Sequence, residues 1–323
     1  MTQPQIYQAQ DKKGNSVQVY DVSALLNSKD PALVQIGEQL FRKSQRVYHA
    51  NFPECEKEPT AVVRGYIDEC GNPQSDEGRF VYVVAAHGER AQGMASGGLL
   101  PTEDKDLVVF GNYIVTRASE RQTGLASILL RGMLNSAQTY AAEQGLTPLA
   151  VFGEVEQPHL PNAKGKYQDQ VRDYVRPRAH HKMGGLGALV VLNEEGIAEV
   201  VPHAMPGVGH GEPATPLLPA VTMLSKDCEL EKLITPIGTV EAVGGRIREL
   251  PESLVLRIDP KTAYNIHSAI MEDYASTPEV YSLRQVGNIA RNAERVLQDH
   301  ADVFIVPILD TRILEVAKAK KRN

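Results

Sequence analysis

The hexapeptide Arg121-Gln122-Thr123-Gly124-Leu125-Ala126 has the residue types and spacing with the clearest chemical meaning in this chain. It lies between an apolar run, Leu107 to Val115, and an amphipathic stretch predicted to be a helix from about Thr123 to Gln144. A glycine turn at such a junction presents backbone N–H groups at the positive end of a helix dipole. That arrangement holds phosphate without needing basic side chains. Gly124 can take torsions closed to other residues and lets a pyrophosphate approach the backbone. Ala126 keeps the first helical turn slim, and Arg117 and Arg121 are placed to add charge. The bland alternative is a helix capping box, Ser119-x-x-Gln122, with Gly124 incidental. Neither the Gly-x-x-x-x-Gly-Lys of a P-loop nor a Gly-x-Gly-x-x-Gly dinucleotide fingerprint occurs.

A second group suited to chemistry is the carboxylate pair Glu154 and Glu156, at the end of the apolar run Leu149 to Val155. Two residues apart on a strand, they face one side, at the strand end where ligands of open α/β sheets gather. Either can serve as a base, with Glu154 the first candidate; the plain alternative is a pair of surface carboxylates. His180 and His181 are candidates to protonate a leaving group, with Tyr167 and Tyr174 as alternative acids. Arg172, Arg176 and Arg178 read as a solvated face, or as partners of an anionic substrate. A metal site built from these histidines with His203 and His210 gains no support from their spacing, and none is assigned.

The elements that must position these groups follow from periodicity. Pro31 opens a helix with Leu33, Ile36, Gly37, Leu40 and Phe41 on one face. Strands are predicted at Ala61 to Ile67, Arg79 to Ala86, Gln92 to Leu100 and Leu107 to Val115. The helix after the glycine turn carries the stripe Leu125, Ile128, Leu129, Met133, Ala137, Tyr140 and Ala141, and Gly145 sits at its C-cap. Leu149 to Val155 returns as a strand, completing a βαβ unit. A polar stretch with one short helix, Tyr167 to Val175, comes next. Strands are expected at Ala188 to Leu192, Ala198 to His203 and Leu217 to Leu224, with a loop from Pro206 to Pro216. Beyond Ser225 helices are predicted at Glu229 to Ile234, Pro260 to Tyr274 and Pro278 to His300, with strand candidates at Leu254 to Ile258 and Val303 to Val306.

Composition narrows the class. The 323 residues are 42 % hydrophobic and 23 % charged, ordinary for a soluble globular chain. A net charge of -6 argues against a nucleic-acid binder working through a broad basic face. Three cysteines without ligand spacing fit a reducing compartment. The polar stretch Met1 to Asn15 is no signal peptide, and no apolar run is long enough to span a membrane. The expectation is a cytoplasmic protein without a membrane or nucleic-acid partner.

From Ile114-Val115-Thr116 through Arg121-Gln122-Thr123-Gly124-Leu125-Ala126 to Leu129-Leu130 the chain resembles the GNAT superfamily of acyl-coenzyme A dependent N-acetyltransferases. That family's signature is Arg or Gln, two residues, Gly, one residue, then Gly or Ala, opening a long helix after an apolar strand. The resemblance is close from Val108 to Val155 and extends from Asp30 to Leu224 as an order of elements. It implies an α/β (α+β) fold with a mixed, mainly antiparallel central sheet flanked by helices. Residues 1–226 would form the transferase domain, and 227–323 a mainly helical extension serving as a lid or an oligomer surface. It implies that amides of Ile114 and Val115 pair with the pantetheine arm. Amides of Gln122, Thr123, Gly124, Leu125 and Ala126 would hold the pyrophosphate, and strands ending at Val115 and Glu154 would splay to admit the acyl group. Acetyl-coenzyme A is then the cofactor, coenzyme A the product, and a primary amine of a small or peptide-like molecule the acceptor, attacked directly. Where the family has a tyrosine four residues before Gly-Phe, this chain has His180, and Gly185 replaces the Phe. That departure motivates an alternative, a catalytically silent acyl-coenzyme A binding or regulatory module. A third reading, transfer of a longer acyl chain, rests on Gly97, Gly98 and Gly111 widening the acyl tunnel.

Overall fold

The computed structural model describes residues 6–52, 57–69, 78–156, 187–192, 198–207, 214–224, 229–233, 253–278, 280–300 and 303–307. The chain forms two compact units, Met1–Pro148 and Leu149–Asn323. The architecture is mixed α/β, with mainly antiparallel strand pairing.

In the first unit the strands follow one another in space as in sequence: β1 (Ile6–Gln10), β2 (Ser16–Asp21), β3 (Arg79–His87), β4 (Arg90–Pro101) and β5 (Asp106–Thr116). Asp21 ends β2 and accepts from the Ala24 amide at 2.9 Å, which starts the short helix α1 (Val22–Leu26). The alternating sequence run does not reveal that helix. Asp30 caps α2 (Pro31–Asn51) in the same way, with Pro31 in the first turn. Alternation along β3 sends Phe80, Tyr82, Val84 and Ala86 to the core cluster shared with α1, α2 and α3 (Thr60–Glu69). The opposite face takes α4 (Leu125–Gln144), where Gly132 meets Val83 and Val19.

The strand predicted over Ala61 to Ile67 is the helix α3. Its β-branched residues suggested extension, but Val63 and Ile67, one turn apart, are the pair that becomes buried. Arg64 also pairs with Asp68 one turn on and with Glu38 of α2.

Between Ser96 and Gly97 the β4–β5 ladder shifts register, and Asn112 is the extra residue on β5. A Cβ at Gly97 would drive into the Phe110 carbonyl oxygen and lie 3.0 Å from Met133 Cε. The packing of the strands and α4 therefore accounts for this glycine, on which the longer-acyl reading rests in part. Gly97→Ala should lower unfolding free energy by about 2–3 kcal/mol, read from denaturant midpoints at unchanged slope.

The second unit is ordered β6 (Thr147–Glu156), β10 (Thr215–Met223), β7 (Gly187–Leu192), β13 (Val303–Pro307), β12 (Ser253–Ile258) and β11 (Glu229–Leu233). Short strands β8 (Ala198–Val200) and β9 (Ala204–Met205) pair with β7 and β10. Helices α5 (Pro260–Ala275) and α6 (Leu283–Asp299) pack on one another. The helix predicted at Glu229 to Ile234 is strand β11. Its backbone is taken up by β12, and pairing of that kind overrides weak local preference. The last helix starts at Leu283 rather than Pro278, because the Val280 and Tyr281 amides close turns on the Thr277 carbonyl. The helix expected at Tyr167 to Val175 lies outside the described residues.

Candidate active site

In the first unit, β5 runs into a single 3-10 turn, Ala118–Glu120, and Gly124 then caps α4 with φ +86°. Gln122 is also left-handed, with φ +70°, a conformation uncommon for a residue with a side chain. Thr123 is buried and donates from Oγ1 to the Glu120 carbonyl at 2.7 Å. Its own carbonyl accepts from the Lys12 amide at 2.8 Å, tying the loop to the β1–β2 hairpin. Asp11 shapes that hairpin by accepting from the amides of Lys13 and Asn15, each at 2.8 Å.

The Ile128 amide donates to the Gly124 carbonyl at 3.2 Å. The amides of Leu125, Ala126 and Ser127 precede that bond, so they are the donors a helix start leaves for a ligand. A Cβ on Gly124 would lie 3.4 Å from Lys12 Cγ and Cε, an ordinary contact, so the positive φ rather than space calls for glycine, and the Lys12 stem flanks the turn. Free donors and a flanking cation fit a diphosphate. Ser119 Oγ bonds to Glu120 Oε1, and Gly124 is the N-cap, so the capping-box alternative is not formed. Arg121 donates to Asn51 Oδ1 at 3.1 Å, and Arg117 Nε to the Ala91 carbonyl at 2.7 Å. Ile114 and Val115 stand opposite Ala95 and Met94 just past the bulge.

The second unit holds a mostly buried polar cluster centred on Glu154. Glu154 lies on β6 opposite Pro219, and its side chain is 12 % exposed. Its Oε1 is 2.7 Å from His203 Nε2 and accepts from the Tyr274 hydroxyl at 2.6 Å. His203 Nδ1 lies 3.3 Å from His267 Nε2. Phe152, two residues before Glu154 and so on the same face, packs edge-on against His203. His203 sits between β8 and β9, and its carbonyl accepts from the Leu217 amide at 3.1 Å. His267, Ile270, Met271 and Tyr274 follow one another at helical spacing on the buried face of α5. Burial pushes the Tyr274 hydroxyl well above its usual range, and the nearby Glu154 and Tyr281 act in the same direction.

Burial first, then the neighbouring His203, pushes His267 down to about 3. A histidine depressed from 6.5 stabilises the fold fully above 6.5, and that contribution is lost as pH falls toward 3. Asp273 is raised to about 6 by burial and by Glu154 and acts in the opposite sense, its contribution fading as pH rises through 6. A variant therefore isolates the histidine: His267→Gln should remove about 2–4 kcal/mol of the stability difference between pH 7 and pH 4, measured by urea unfolding.

Of the residues singled out from sequence, Glu154 lies in this cluster and brings in His203, which the sequence offers only as a metal ligand. His267, Asp273 and Tyr274 are not singled out there. The available signal is a histidine and a tyrosine seven apart on an otherwise apolar helix stripe. Glu156 pairs through its backbone with Leu217. His180, His181, His210, Tyr167, Tyr174, Arg172, Arg176 and Arg178 lie outside the described residues. Among the described residues no group of three or more His, Cys, Asp or Glu is placed to hold a metal. No helix among them is long and apolar enough to cross a membrane.

No family model matches the sequence, and no curated protein does. Among solved structures, the chain is similar to a Desulfovibrio desulfuricans protein assigned to the GNAT family of acetyltransferases. That match has 14 % identity, 58 % of this chain and 94 % of that one covered, and a TM-score of 0.37. A Salmonella typhimurium protein assigned as an acetyltransferase and solved with acetyl-CoA matches at 14 % identity, over 70 % and 96 % of the two chains, with a TM-score of 0.35. An aminoglycoside 6'-N-acetyltransferase complexed with coenzyme A matches at 13 % identity, over 64 % and 96 %, with a TM-score of 0.32. These are distant likenesses of outline.

Proposed function

We propose that this chain is an acetyl-coenzyme A dependent N-acetyltransferase of the GNAT type, moving the acyl group directly to a primary amine of a small or peptide-like molecule. The observation that carries the reading is the Gly124 cap: a left-handed glycine opening a 20-residue helix, with three amides ahead of the first helical bond. Leu125, Ala126 and Ser127 would hold the pyrophosphate, with Lys12 alongside, and Ile114 and Val115 would pair with the pantetheine arm. Bound acetyl-coenzyme A supplies the activated thioester. In the second unit Glu154 supplies negative charge that favours an ammonium and is the first candidate to take its proton.

A second reading, a coenzyme A binding module without turnover, is favoured by Glu154 Oε1 already accepting two bonds. The test is mass spectrometry of protein purified from cells, calorimetry with coenzyme A, and thioester cleavage across a panel of amines. Bound coenzyme A with amine-dependent cleavage supports the transferase. Binding with no cleavage supports the module, and absence of binding removes both.

A further inference from the structure

Glu154 Oε1 is the meeting point of two side chains that lie far from β6 in the sequence. His203, between β8 and β9, places Nε2 at 2.7 Å, and Tyr274, on α5, donates its hydroxyl at 2.6 Å. Neither bond uses Oε2. The His203 ring is fixed on two sides: it stands edge-on to Phe152 at 5.2 Å and to His267 at 5.3 Å, with Nδ1 3.3 Å from His267 Nε2. The Tyr274 ring packs edge-on against Tyr281, 4.8 Å between centres. All of these residues belong to the second unit, and the rings are buried.

A general base has to be an ionised carboxylate before the amine arrives, and an ionised carboxylate only accepts hydrogen bonds. Both neighbours must then donate to it. Tyr274 meets that demand at every working pH, because burial first and then Glu154 keep its hydroxyl protonated. His203 meets it as the tautomer with its proton on Nε2. Two charge-assisted donors on one oxygen fix the carboxylate's torsions, and such bonds favour the charged form. A buried ion pair contributes little to stability beyond what well-packed apolar groups would, so stability alone does not account for the arrangement. The other titratable groups that act on the cluster are His267 and Asp273 on α5 and Tyr281 beyond it.

We propose that His203 and Tyr274 are positioning residues for Glu154, clamping Oε1 and leaving Oε2 for the acceptor's ammonium, with His267 holding the His203 ring for that contact. This deepens the acetyltransferase reading and rests on it. One N–H bond of the ammonium breaks, its electron pair stays on nitrogen, and the proton goes to Oε2. His203 and Tyr274 keep their own protons throughout, and Glu154 afterwards releases the one it took to solvent.

Two variants and one spectroscopic signature test this. Tyr274→Phe keeps the ring on Tyr281 and removes one donor. For the best amine found it should lower kcat about ten-fold at pH 7 and move the acid limb of the kcat profile up by about one pH unit. Coenzyme A affinity should stay within about two-fold. His203→Gln carries an N–H close to the place of Nε2, so it should retain at least about ten times the kcat of His203→Leu. A merely structural role would lower denaturant midpoints and leave the acid limb where it is. Independently of turnover, protein labelled with 15N-histidine is observed at pH 7.5, the His203 signals being assigned by their loss in His203→Gln. Nε2 should show the shift of a protonated ring nitrogen. An unmoved limb in Tyr274→Phe, a His203→Gln no faster than His203→Leu, or a bare Nε2 overturns the proposal, and with turnover present the acetyltransferase reading survives. No turnover on any amine overturns that reading and the positioning role with it.

Discussion

Glu154→Gln is expected to lower kcat for amine acetylation by about 10²-fold or more, with coenzyme A affinity unchanged. Glutamine keeps the shape of the side chain but not its charge. His203 Nε2, at 2.7 Å, loses its carboxylate partner, and the 2.6 Å bond from Tyr274 loses its charge assistance. Both partners are buried, so the cluster cannot turn to water for replacements. The cofactor loop belongs to the other compact unit, so its affinity is the internal control. Steady-state kinetics with calorimetry on the same preparations decide the matter. If kcat is unaffected, Glu154 is only a structural carboxylate of the second unit.

The second large effect belongs to Gly124→Asp, which should weaken coenzyme A binding at least about 100-fold, or roughly 3 kcal/mol. At φ +86° any L side chain is strained, and its Cβ would lie against the Lys12 stem. The aspartate carboxylate would then stand beside the amides of Leu125 to Ser127 and repel a phosphate from them. Because α4 is held by its buried stripe Leu125, Leu129, Met133, Ala137 and Ala141, it should still form, and the loss should appear in binding rather than in helix content. Gly124→Ala adds the strain and the methyl without the charge, so it should cost about ten-fold. Calorimetric titration of coenzyme A into the three proteins separates the contributions. An Asp variant that binds like the parent would remove the pyrophosphate from this loop.

Local pattern is informative wherever burial follows one period. The stripe Leu125, Leu129, Met133, Ala137 and Ala141 is legible because helical spacing and burial agree along α4. The strands β3 to β5 are legible because their apolar runs are covered on both faces. Pattern fails where partners far along the chain choose between local options. Val62, Val63 and Ile67 suit a strand, yet contacts with the core cluster and the Arg64–Glu38 ion pair hold them as a helix. Glu229 to Leu233 have no reason to be extended until β12 lies alongside.

The same division runs through the chemistry. The sequence by itself determined the glycine cap and its helix, because that geometry depends on neighbours in the chain and on one residue free to take a positive φ. Glu154 could be picked out as a strand-end carboxylate. Only the tertiary structure decided what surrounds it: His203 arrives from 49 residues away and Tyr274 from 120. Hydrogen bonds between side chains so distant leave no period or spacing in a single sequence.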